Sequence, residues 1–247
     1  MTQHWFGKLV LPALVVGCVA SSAKAELVTT FIGTSPSQQV NLTATRNGQT
    51  RSFESPVGPF NFIVLSDTSN TGLGPTFRSF CGDFFQDVAV GNNYVYTPGN
   101  LIDLPDVSSA LQVRKLDELY EKFYDVATDA EKGAAFQLAV WEILSDPTNT
   151  NLSTGNFIAN GPGSPSSITV AQGWLNSITG DDLPTVSKYR LTALLTPSAQ
   201  DQIVVSPNPV PAPAGAVLLV IGAAGLIARR KFAKKGETTE ATEEAKA

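Results

Sequence analysis

Histidine and cysteine are almost missing from this chain. Its 247 residues include one His, two Cys and one Met. The N-terminus takes most of that small stock. Residues 1–8 form a short polar start carrying Lys8, and 9–20 are an apolar run. Ala23-Lys24-Ala25 then supplies the small residues of a signal-peptidase site, so 1–25 read as a cleavable signal peptide and the mature chain starts at Glu26. The apolar run is too short to span a bilayer as an uncleaved helix. His4 and Cys18 leave with the leader, and Cys81 becomes the one remaining thiol.

Those absences exclude chemistry. Ser-His-Asp and Cys-His catalysis lose their imidazole base. Most zinc sites lose their ligands, and an intramolecular disulfide lacks its second sulfur. Paired carboxylates would have to carry any hydrolysis, and Asp83, Asp87, Asp181 and Asp182 show no spacing that singles them out. Asp181-Asp182 beside Gly180 reads as a solvated turn. No catalytic residue, metal site or cofactor is therefore expected, and the chain does not read as an enzyme. Basic charge is also scarce: residues 26–213 carry nine Lys and Arg against eighteen Asp and Glu, a formal charge of minus nine. Nucleic acid, which requires a basic footprint, is not an expected partner. A competing reading of the leader takes Val15-Val16-Gly17-Cys18 as a loose lipobox, which would make Cys18 a lipidated N-terminus.

A long apolar run is lacking too. The longest near the C-terminus is 214–228, fifteen residues, against roughly 20 for an ordinary spanning helix. Prolines on one side and long basic side chains on the other can extend it by snorkelling. Arg229, Arg230 and Lys231 follow, with Lys234 and Lys235 just beyond, and this cluster should stay cytoplasmic. Residues 236–247 are rich in Glu, Thr and Ala and read as a disordered acidic tail. Pro211-Ala212-Pro213, the short apolar run and the basic cluster together resemble the PEP-CTERM sorting signal of Gram-negative bacteria, here over 210–235. Ala212 stands where that signal usually has Glu. The resemblance implies recognition by an exosortase-like sorting enzyme, a membrane anchor, and export to the cell surface or beyond. It also implies an association with biofilm and exopolysaccharide. The plain alternative is a C-terminal membrane helix without processing.

Between the ends, 26–209 read as one secreted domain. Short segments rich in Val, Phe, Tyr, Thr and Ile at 27–32, 40–45, 60–65, 94–97, 189–195 and 202–205 read as strands. Asn47-Gly48 is a hairpin turn, since both residues tolerate positive φ. Apolar residues from Val107 to Tyr124 recur every three or four positions, with Lys115, Glu118, Glu121 and Lys122 mostly on the other side, and predict a helix. A second helix should start at Thr128, with Glu131 completing a capping box, and end near Asp146 before Pro147. Residues 147–167 read as loop and 169–178 as a short helix carrying Trp174. The fold class is thus α+β: a mostly antiparallel sheet or sandwich with a helical insertion.

The second helix has an inward stripe of Ala127, Ala130, Ala134, Gln137, Leu138, Trp141 and Leu144. An amide in the middle of an apolar stripe costs stability unless its hydrogen bonds are met. One reading is a core Gln bonded to backbone, with Cys81 as a small buried hydrophobe. The other comes from Phe80-Cys81-Gly82-Asp83 taken with Gln137-Leu138-Ala139-Val140-Trp141. The pair resembles the aromatic-Cys-x-Asp segment and Gln-x-Ala-x-Trp helix of bacterial thioester domains. The resemblance implies that Cys81 and Gln137 condense into an internal thioester, supported by Phe80, Asp83, Ala139 and Trp141. It implies single-use covalent attachment to an amine or hydroxyl on another surface. Phe136 stands where the family has Thr. Phe80, Phe84, Phe85, Phe136 and Trp141 would shield the bond from water.

The leader reading makes a direct prediction. N-terminal sequencing of the mature protein should begin at Glu26, whereas a lipidated Cys18 would restore a second sulfur.

Overall fold

A computed structural model describes residues 25–161 and 165–207. Of the expected leader only Ala25 is described, and the expected sorting-signal residues Pro211, Pro213, Arg229, Arg230 and Lys231 lie outside the described residues. The chain divides into one unit of 1–183 with 191–206 and a second of 184–190 with 207–247. In the second, 184–188 are loop, leading into a strand. The rest of the description concerns the first. Among the described residues no helix is long and apolar enough to cross a membrane.

Strands with alternating burial build two sheets. β1 (Leu27–Thr34) turns Leu27, Thr29 and Phe31 inward, and β2 (Gln38–Arg46) does the same with Val40, Leu42 and Ala44. The remaining strands are β3 (Gln49–Val57), β4 (Phe60–Asp67), β5 (Thr76–Cys81), β6 (Asn93–Gly99), β7 (Phe157–Asn160), β8 (Tyr189–Leu195) and β9 (Gln202–Pro207). Six close into a barrel in the order β1-β4-β5-β9-β8-β6, and β3-β2-β7 form a separate sheet. The antiparallel expectation holds, but the sandwich is replaced by a barrel. Alternating burial looks the same in both. Closure comes from β6, which pairs with β1 through Leu27↔Tyr96 and with β8 through Thr97↔Leu195.

The β2–β3 hairpin turns where expected. Asn47 and Gly48 have φ of 53° and 77°, so a two-residue turn leaves Arg46 paired with Gln49. The expected loop after Pro147 is less featureless than its composition. β7 forms inside it by pairing Ala44 with Phe157 and Asn41 with Asn160. The Asp146 carboxylate accepts from the backbone N–H groups of Asn156 and Phe157, which starts the strand. A four-residue strand amid Gly, Ser and Asn has no periodicity to read.

Among the described residues three α-helices complete the unit: α1 (Ala110–Phe123), α2 (Ala130–Ser145) and α3 (Pro165–Leu175). α3 starts four residues before the predicted helix and stops three before its end. α2 is capped by Asp129, which accepts from Lys132 N at 2.8 Å, and not by Thr128. Its whole length from Gly133 to Leu144 is buried, so the predicted stripe is a helix buried on every side. It packs on α1, α3, β2, β3, β5 and β7.

α1 also departs from its predicted polar face. Glu118 is fully buried and Lys115 nearly so. Glu118 accepts from Thr179 N at 3.1 Å and Gly180 N at 2.6 Å, and takes Lys122 Nζ at 2.6 Å. Lys115 Nζ donates to Pro147 O at 2.7 Å. Both charges tie loops onto the helix. Lys122 also reaches exposed Asp182 at 2.8 Å. Removing the carboxylate would leave two backbone donors without their acceptor, so Glu118→Ala should cost about 2–4 kcal/mol in urea unfolding.

Candidate functional site

Two of the sequence motifs meet at the end of β5. Cys81 is its last residue, and it pairs across the barrel seam with Gln202 of β9. Residues 200–205, just before the expected sorting signal, thus belong to the domain: Gln202 and Ile203 are fully buried, and Ser79 Oγ donates to Gln202 Oε1 at 2.8 Å. Gly82 lets the chain turn after Cys81 without collision. A Cβ there would sit 2.9 Å from Leu104 Cδ2.

Gln137 projects from the middle of α2 onto this strand end. Its Oε1 accepts from Cys81 N at 2.7 Å, and its Nε2 donates to Cys81 O at 3.1 Å. Both ends of the carboxamide are thus held by the backbone of the residue that carries the thiol. Cys81 and Gln137 are both fully buried. The thiol donates to Asp83 O at 3.1 Å. Burial pushes its pKa far up, with the Asp83 backbone and the Trp141 indole pulling the other way. The resting sulfur is a neutral thiol.

The Asp83 side chain fixes the turn after Cys81. Its Oδ1 accepts from Phe85 N at 2.8 Å and from Arg46 Nη1 at 3.2 Å. Arg46 also holds Asp106 at 3.1 Å and lies 4.2 Å over the Phe85 ring. An arginine at the end of β2 therefore ties the three-stranded sheet to the cysteine turn. Asp201 stands nearby: its backbone carbonyl accepts from Gly82 N at 2.8 Å and its Oδ1 from Thr196 N at 2.7 Å. Burial pushes its pKa up to about 6, opposed by the Thr196 N–H. Arg46, Asp106 and Asp201 escaped the sequence reading. They lie 35, 25 and 120 positions from Cys81, and no local pattern marks them.

The other motif residues divide. Trp141, one helical turn beyond Gln137, shares its face. Ala139 is two residues on, which turns it to the opposite side of the helix, where it is plain core. Phe80 points away from the sulfur by strand alternation and meets Phe136 at 4.4 Å with the rings tilted by 40°, with Tyr120 edge-on to both. The expected aromatic shield is therefore two clusters. Phe80, Phe136, Tyr120 and Tyr124 form one. Phe84, Trp141, Phe157 and Phe53 form the other. Phe85 serves as the platform for Arg46.

The second cluster borders a cavity of about 310 Å³ whose lining includes Phe31, Phe53, Phe84, Trp141 and Gln200. Several buried polar atoms of the site have no protein partner: Asp83 Oδ2, Tyr120 Oη and Trp141 Nε1. No group of three or more His, Cys, Asp or Glu among the described residues could hold a metal ion.

No family model matches the chain. No curated protein matches it either. Among solved structures, it is similar to the N-terminal thioester domain of a surface protein from Clostridium perfringens, at 12% identity and a TM-score of 0.41, over 73% of this chain and 99% of that one. So distant a likeness assigns no role to any residue, and the roles given above rest on this chain's own geometry.

Glu142, next to Trp141, is fully buried, and neither oxygen has a donor in good hydrogen-bond geometry. Burial, helped by Asp146 and weakly opposed by the nearby Asn151 N–H, raises its pKa from 4.5 to about 8. The folded state therefore holds this proton more tightly than the unfolded chain. That contribution to stability is complete below about 4.5 and is lost as pH rises to 8. The Asp201 shift has the same sign and ends lower. Glu142→Gln should flatten the decline between pH 5 and 8 in denaturant midpoints, on the order of a few kcal/mol.

Proposed function

We propose that this domain is a surface-attachment module whose Cys81 and Gln137 form an internal thioester. The observation that carries the reading is the two-point hold of Gln137 on the Cys81 backbone. It brings the electrophilic amide to the residue that bears the nucleophile. The Cys81 N–H on Oε1 is also placed where charge develops when sulfur adds to the carbonyl carbon. In that step the Sγ–Cδ bond forms and the Cδ–Nε2 bond breaks. The thiol proton leaves on nitrogen, as ammonia. The thioester survives only if water is excluded, and both partners are fully buried. An amine or hydroxyl of another surface then takes the acyl group and leaves an amide or ester crosslink. The protein is consumed once, so it is not an enzyme in the ordinary sense.

Export through the leader that ends at Ala25 delivers the domain outside the inner membrane. The Pro211/Pro213 motif, the apolar run and the Arg229-Arg230-Lys231 cluster are read by an exosortase-like enzyme or anchor the chain in the membrane. That places the domain at the cell surface or in the extracellular matrix of a Gram-negative bacterium. A second reading has its own observation. The Gln137 carboxamide is hydrogen-bonded at both ends as it stands, which is what a purely structural core glutamine requires. The protein is then a non-covalent component of the envelope or exopolysaccharide.

Intact mass separates the two. The mature wild type should be lighter than its calculated mass by one ammonia, Cys81→Ala should not be, and methylamine should add only to the former. A wild type at full mass with a thiol that titrates after unfolding leaves the non-covalent reading standing.

A further inference from the structure

The Trp141 indole carries an unused hydrogen-bond donor one helical turn beyond Gln137. The side chain is 4% exposed, and Nε1 donates to no protein acceptor. Buried donors are rarely left so, and each exception calls for a reason. Trp141 shares the Gln137 face of α2. The indole pulls the Cys81 thiol pKa down against the rise that burial causes, although its N–H makes no hydrogen bond to the resting sulfur. The ring also lines the 310 Å³ cavity, and Phe84 meets it edge-on at 5.2 Å and 89°, which fixes its orientation. Trp141 is therefore shared between the sulfur and the cavity that an incoming group would enter.

We infer that Trp141 serves the opening of the thioester: its indole N–H donates to the Cys81 sulfur as that sulfur leaves. The inference rests on the thioester reading. A primary amine entering from the cavity attacks Gln137 Cδ. The new C–N bond forms and the C–S bond breaks, with its electron pair going to sulfur. The proton lost by the attacking nitrogen ends on that sulfur. The products are a secondary amide and a neutral Cys81 thiol, so atoms and charge balance. In a dry core the costly point of this path is the developing thiolate. A neutral donor aimed at it offsets that cost without placing a charge in the core.

Trp141→Phe in the full chain keeps an aromatic ring and removes the N–H. Intact mass first reports whether each protein has lost ammonia, and methylamine uptake then gives the opening rate. Both proteins should carry the thioester, and the Phe variant should open about tenfold more slowly or worse, the size expected of one hydrogen bond to a charged acceptor. A purely structural role predicts equal or faster opening, because a smaller ring loosens the shield. That result overturns the inference and leaves the thioester standing. If the Phe variant fails to fold or to form the bond, benzothienylalanine at position 141 replaces it. This residue has the shape of tryptophan without the N–H, and the same rate comparison decides. A wild type at full calculated mass removes the thioester reading and this role with it.

Discussion

The carboxamide of Gln137 lies against the backbone of Cys81 with one hydrogen bond at each end, deep in a core that contains no solvent-exposed part of either residue. Much of the unit is arranged around that contact. β5 must end at Cys81 for its N–H and C=O to be free to turn toward the helix. α2 must be buried on all sides to bring a side chain there. The barrel seam between β5 and β9 closes just behind, where Cys81 pairs with Gln202 and Gly82 donates to Asp201. A buried amide without such partners would be a net loss to the fold.

The surroundings are less well satisfied than the clamp itself. Asp83 Oδ2, Tyr120 Oη and Trp141 Nε1 are buried without a protein partner, and neither Glu142 oxygen on the same helix has a donor in good hydrogen-bond geometry. Core side chains chosen for packing alone would be apolar here. Polar atoms kept in a dry place at a cost to stability mark a site where something other than packing is selected. The Arg46 contacts to Asp83 and Asp106 supply the compensating charge, and they also join the two sheets.

How much of this was legible depended on the range of the signal. The Asn47-Gly48 turn, the end of α2 before Pro147 and the strand position of Cys81 follow from local rules of φ, ring geometry and β-propensity. They hold without knowing what lies opposite. Glu118 and Lys115 read as a solvated helix face, because charge normally faces water. Here loops 62 and 32 residues on wrap over them and supply backbone partners. β7 was hidden because four residues in a polar loop carry no period. It forms only because β2 presents an unpaired edge.

By itself, then, the sequence determined the chemistry available: one thiol and no imidazole within 26–247, an excess of acidic over basic residues in 26–213, and an amide amid apolar residues of a helix. It also determined the local elements, since those depend on neighbours within a few positions. Only the tertiary structure decided that the sheet closes as a barrel, that Gln137 meets Cys81 and not another part of the core, and that Arg46, Asp106 and Asp201 join them. These are contacts between residues tens of positions apart. Their partners are selected by packing and by the need of each buried polar group for a hydrogen bond. Neither is written in any local stretch of the chain.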